Sequence, residues 1–158
     1  MLRRPDSDTL RVTGPVTLNV PLSELRGKDE VPYPPAIAAG VKLIMVSWAV
    51  YPALDPSFPA GLSPTVVRSE LRGRLGYQGV TITDAIEAGA LTSFGGNGQR
   101  ARLAAKAGMD VMLCAIQDPG QGQSVVRALA TALDKGKLDP TDFNAAVQRV
   151  TALRNTLS

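Results

Sequence analysis

Asp84 is the carboxylate on which a reaction can be built. It closes the run Gly79-Val80-Thr81-Ile82-Thr83-Asp84, and Ala85-Ile86-Glu87-Ala88-Gly89-Ala90-Leu91 comes next. An apolar, β-branched run opened by glycine predicts a short buried strand. A carboxylate at the carboxyl end of such a strand sits at the mouth of an α/β fold, where that architecture places its chemistry. The same position also suits a helix cap, since an Asp there accepts the first free N–H groups of the next helix. Position alone leaves both roles open. Glu87, three residues on, is expected on the following turn, solvated or paired with a lysine or arginine, and is a poor candidate for an acid that must reach a leaving group.

Ser47 and Trp48 end a second predicted strand, Val41–Val46, and share the mouth with Asp84 if the strands are parallel. Trp48 can stack on a ligand ring or pack a loop, and the sequence does not choose. Asp55, in Leu54-Asp55-Pro56, reads as a turn residue rather than a ligand. Phe94-Gly95-Gly96-Asn97-Gly98 precedes a helix and lacks the Lys-Ser/Thr ending of a phosphate-binding loop, so a flexible connection is the reading. Asp110 opens a strand at the end opposite the mouth, which predicts a structural role.

The elements that must position these residues share one grammar: an Ala- or Leu-rich helix, a glycine, then a short apolar strand. Ala36–Ala39, Gly40 and Val41–Val46 form the first unit; Pro64–Leu75, Gly76 and Val80–Thr83 the second; Gln99–Ala107, Gly108 and Val111–Ala115 the third. The glycines suit the left-handed position that ends a helix, and strands this short and apolar suggest parallel βαβ units. Ser63 is a candidate cap with Pro64 at the first helical position. Val67, Leu71 and Leu75 then make one stripe. Asp139-Pro140-Thr141-Asp142 caps a last helix. Val16–Val20 alternates and reads as a short strand, and Leu22–Gly27 as one or two helical turns. Residues 1–14 are polar and expected to be disordered or frayed.

The chain has 158 residues, 44% hydrophobic and 20% charged, which fits one folded domain. Aromatics are only 4%, so aliphatic side chains must build the core. A net charge of +3 with scattered lysines and arginines gives no nucleic-acid footprint. Nothing approaches the length of a membrane-spanning segment, and no apolar signal core opens the chain, so its compartment is not legible. Cys114, the one cysteine, is expected to be a small buried hydrophobe. There is no histidine, which removes Ser-His-Asp and Cys-His chemistry and histidine-bound zinc; no metal or cofactor is expected.

Residues 40–91 resemble glycoside hydrolase family 3, in its β-N-acetylhexosaminidase branch. The resemblance rests on Ala39-Gly40-Val41 leading into Ile44-Met45-Val46-Ser47, then Val50-Tyr51-Pro52-Ala53-Leu54-Asp55-Pro56, Leu62-Ser63-Pro64, Leu71-Arg72-Gly73-Arg74-Leu75-Gly76-Tyr77-Gln78-Gly79-Val80 and Ile82-Thr83-Asp84-Ala85. It continues more loosely over most of the chain. It implies that Asp84 is the nucleophile of a retaining glycosidase and that the substrate is a carbohydrate with terminal N-acetylglucosamine; Ser47 and Trp48, from their place at the same mouth, are the candidates for substrate binding. Ala85 favours the hexosaminidase branch, since the β-glucosidase branch usually has tryptophan there. Three departures stand out. The branch takes its acid/base from an Asp-His pair, and this chain has no histidine. Many relatives also have histidine where Trp48 stands. The family's Lys-His-Phe-Pro-Gly motif would lie just upstream of Gly14-Pro15-Val16, and residues 1–13 do not match it.

The implied fold is α/β: a partial (β/α)8 barrel, with about the last three βα units and the C-terminal helices, over residues 15–158. Such a piece leaves a strand edge and apolar surface that a missing N-terminal half should cover. The chain alone is therefore expected to be weakly active or inactive. A non-catalytic sugar-binding descendant and a truncated fragment that needs its other half are the alternatives.

Overall fold

Three short apolar runs pair into one parallel sheet. The computed structural model describes residues 14–157, so the segment expected to be frayed lies, apart from Gly14, outside the described residues. The strands are β1 (Leu43–Val46), β2 (Val80–Ala85) and β3 (Val111–Leu113), with β2 in the centre. β1 and β2 pair in register from Leu43–Val80 to Val46–Thr83. β2 and β3 pair from Ile82–Val111 to Ala85–Leu113, with one register irregularity between them. Because every pairing is parallel, all three carboxyl ends lie together.

Each connection is helical, as parallel pairing requires. Helix α1 (Tyr33–Ala38) leads into β1, a π-helix (Thr65–Arg74) into β2, and α2 (Asn97–Ala107) into β3; α3 (Pro119–Asp134) and α4 (Pro140–Arg154) close the chain. The three expected stop glycines all have positive φ: 83° at Gly40, 73° at Gly76 and 102° at Gly108. At Gly108 the left-handed turn sends its N–H back to the carbonyls of Ala104 and Ala105. The expected helix after Ser63 is present but wound wider than an α-helix, with the Leu75 amide donating to the Glu70 carbonyl at 2.9 Å. Ser63 caps it, accepting the Val66 amide at 3.2 Å. Asp139 caps α4, and the backbone N–H groups of Thr141 and Asp142 hold its carboxyl below the usual carboxylate range.

Val16–Val20 is not a strand. Only one parallel bridge forms, between Thr17 and Val50, with the Val50 amide on the Val16 carbonyl at 2.8 Å. Pro15 and Pro21 bracket the segment, and neither can donate to a longer ladder.

The core lies between the sheet and the helices. Val46, Trp48, Val67, Leu71, Tyr77, Ile86, Leu91, Ala104 and Ala107 fill it. Ala101, Ala104 and Ala107 of α2 are buried. A Cβ at Gly98 would meet the Ala128 methyl at 2.8 Å, so this glycine lets α2 cross α3 closely; Gly95 takes a φ of 82°, and nothing crowds Gly96. The other face of the sheet is open at β1, where Leu43 is 44% and Met45 55% exposed while Val46 is only 8%.

At the ends of the strands opposite the carboxyl mouth, the Asp110 side chain is fully buried. Arg72 donates to it at 2.7 Å, Arg149 from α4 at 2.7 Å, and the Thr81 amide at 2.9 Å. Burial lowers the Arg72 guanidinium from its usual range, and the Asp110 charge opposes that shift. The expected structural role for Asp110 is what these contacts describe.

Candidate active site

Asp84 is the fifth of six residues in β2, at the carboxyl end of the central strand, and its side chain is exposed. It does not cap a helix: beyond Ala85 the chain makes a turn and then enters the 3₁₀ segment Gly89–Phe94. Its Oδ1 accepts the N–H of the next residue, Ala85, at 2.6 Å. That bond turns one oxygen back to the chain and leaves Oδ2 with no partner among the described residues. An ionised carboxylate with one tethered and one free oxygen has the shape of a nucleophile, since only one oxygen attacks.

Met45 pairs with Ile82. Side chains alternate along a strand, so Ser47 and Asp84, each two residues further on, leave the sheet on the same face at adjacent strand ends. Ser47 is exposed, and its hydroxyl accepts the Ala49 amide at a long 3.4 Å. Ser47 and Asp84 are thus brought together at one mouth.

Trp48 takes the opposite face. It is 5% exposed, within the core cluster, and its indole N–H donates to the Ala85 carbonyl at 2.9 Å. Its ring lies so tightly on Gly61 that a Cβ there would come within 2.6 Å of Cζ3. The buried ring offers no open face on which a ligand could stack. Of the two roles the sequence left open, packing is the one these contacts describe.

Glu87 lies on the turn after β2, as expected, and is half-buried, but among the described residues it pairs with no lysine or arginine. Its carboxylate accepts the Ala115 amide at 3.2 Å and the Gln121 side-chain amide at 2.7 Å, and Gln121 is 4% exposed. It ties the turn after β2 to the end of β3 and the start of α3. Arg100 adds a second tie, from Nε to the Gly95 carbonyl at 2.6 Å and from Nη1 to the Ile86 carbonyl at 3.1 Å. Neither contact was legible locally, because the partners lie 34 and 14 residues apart. Asp55 behaves as the turn residue expected, accepting the Ser57 amide at 2.9 Å and the Ser63 hydroxyl at 2.6 Å. Cys114 is half-buried, and desolvation, with the nearby Glu87 charge, pushes its thiol up and away from the reactive thiolate.

Among the described residues no hollow encloses Asp84. A hollow of about 420 Å³ beside β1 reaches Ser47 and Met45, and one of about 940 Å³ lies between β3 and the last two helices. Asp84 lines neither of them.

Residues 6–153 match the glycosyl hydrolase family 3 N terminal domain. The chain belongs to this family. A secreted glycosyl hydrolase of Arthroderma benhamiae, itself uncharacterised, is 53% identical over 144 residues, covering 91% of this chain and 41% of its own. A beta-hexosaminidase of Stenotrophomonas maltophilia is 42% identical over 92 residues, 58% of this chain and 27% of its own. Among solved structures, a glycoside hydrolase family 3 beta-N-acetylglucosaminidase from Paenibacillus superposes with a TM-score of 0.85 at 32% identity, over 90% of this chain and 27% of that one. The chain thus spans between a quarter and two fifths of the length of the relatives it matches.

Proposed function

We propose that this chain carries the nucleophile half of a retaining β-N-acetylhexosaminidase site, with Asp84 as the nucleophile. The observation that carries the reading is the placing of an exposed carboxylate at the carboxyl end of the central parallel strand, one oxygen tethered and the other free. In a retaining mechanism the free oxygen attacks the anomeric carbon and the leaving oxygen takes a proton from an acid. Water, giving its proton to the conjugate base of that acid, then attacks the anomeric carbon of the glycosyl-enzyme, and Asp84 leaves as carboxylate. The acid must stand roughly 5 Å from the nucleophile. Glu87 is engaged with Ala115 and Gln121, and the chain has no histidine. The acid therefore belongs to a segment outside the described residues.

The open face of β1, the exposed Met45 and the unenclosed Asp84 support the same conclusion: the sheet is an arc of a barrel whose remaining strands complete both core and cleft. The substrate class, terminal β-N-acetylglucosaminyl glycosides, rests on the names of the beta-hexosaminidase and beta-N-acetylglucosaminidase relatives.

A chimera tests this. Residues 15–157 replace the matching segment of the Paenibacillus enzyme, which superposes over 90% of this chain, and hydrolysis of an aryl N-acetylglucosaminide is monitored. The chimera is expected to turn over, and Asp84→Asn within it to lower turnover by about three orders of magnitude or more. Undiminished turnover in Asp84→Asn would remove Asp84 from the mechanism. The 158-residue chain alone is expected to turn over little or none of the same substrate. The absent histidine also favours a second reading, a sugar-binding protein without turnover. Calorimetric binding of N-acetylglucosamine by an inert chimera would favour it.

A further inference from the structure

Ala85 is held at both ends of its own backbone. Its N–H tethers the Asp84 carboxylate at 2.6 Å, and its carbonyl is gripped by the Trp48 indole at 2.9 Å. The next residue is gripped as well, with the Ile86 amide on the Leu113 carbonyl at 2.9 Å. Trp48 is the element that spans from β1. It is buried and wedged against Gly61, so its N–H has a fixed direction. We infer that Trp48 is a positioning residue: by holding the Ala85 carbonyl it fixes the peptide that follows Ala85, and so restrains Ala85, whose own N–H, in the preceding peptide, orients the Asp84 carboxylate. The inference rests on the reading of Asp84 as nucleophile, and gives a purpose to burying the chain's one tryptophan directly behind it.

A donor that orients a reactive group by holding its neighbour should act on the transition state more than on substrate binding. The Trp48→Phe variant keeps an aromatic ring but loses the N–H together with part of the buried ring system, so a second amide must control for the cavity. In the purified chain, solvent exchange of the Ala85 amide, read by magnetisation transfer in NMR, is expected to rise about tenfold, as expected when a restraint of one hydrogen bond is lost. The Phe143 amide, bonded to the Asp139 carbonyl in α4 and outside the core cluster that holds Trp48, should keep its rate. Equal acceleration at both amides would mean general loosening and would overturn the inference, as would no change at Ala85. In the chimera, kcat for the aryl glycoside should fall about tenfold with KM held within about twofold. A change confined to KM, or none, also overturns it.

If Trp48→Phe does not fold, Asp84→Ala gives the reciprocal test, since coupling between two sites runs both ways. The exposed Asp84 is removable without a cavity, and the chain has one indole resonance to monitor. Its exchange should speed up in Asp84→Ala; an unaltered rate counts against the link. Should the chimera prove inert, the nucleophile reading fails on its own, and the amide and indole rates still decide whether Trp48 and Asp84 are linked.

Discussion

Asp84, Ala85 and Trp48 are linked by two hydrogen bonds that fall on successive peptide groups. The carboxylate drew attention because it ends an apolar, β-branched run, a position that suits a site and a helix cap alike. Its partner was not legible. Nothing in the local sequence says that an indole 37 residues upstream donates to Ala85. The tryptophan's bulk and amphipathic character suggested a ligand platform, and the same character suits a buried ring with one polar contact to satisfy. Glu87 teaches the same lesson. Its spacing from Asp84 invited comparison with an acid, yet its oxygens are occupied by an amide side chain and a backbone N–H. Replacing Glu87 with alanine should leave the buried Gln121 amide unpaired and lower stability by about 1–3 kcal/mol, read from urea unfolding. Glu87→Gln keeps an acceptor and should recover most of that loss. If Glu87→Gln instead removes turnover in the chimera with stability intact, the latch assignment is wrong.

The helix–glycine–strand grammar was readable because it is written in local terms: an apolar stripe, a residue free to adopt positive φ, and a β-branched run. The π winding of Thr65–Arg74, the register irregularity between β2 and β3, and the reduction of Val16–Val20 to one bridge depend on tertiary contacts or on flanking prolines, and the hydrophobic pattern is silent about them. Asp110 joins the elements most firmly. It connects the π-helix, β2 and the final helix α4 through Arg72, Thr81 and Arg149. A buried carboxylate with two guanidinium partners is hard to replace by halves. Asp110→Ala strands both cations and should destabilise by about 3–5 kcal/mol, measured by urea unfolding. A loss of less than about 1 kcal/mol would mean that water takes over the guanidinium groups.

Among the described residues the sheet has one covered face and one open face. Helices cover one face of the sheet, while the other carries Leu43 and Met45 in solvent. Exposed strand faces of this kind drive association. Met45→Lys is expected to change the unfolding free energy by no more than about 0.5 kcal/mol, since a surface site carries little packing, and to reduce light scattering at high concentration. If Met45→Lys unfolds the chain, the face is covered and the arc-of-a-barrel reading loses its main support.

The two carboxylates of the sheet stand at its two poles, Asp84 where the strands finish and Asp110 where they begin. With Asp84 as the proposed nucleophile, anchorage and reactivity are separable: loops at its pole can be lengthened or exchanged while the ionic anchor around Asp110 goes untouched.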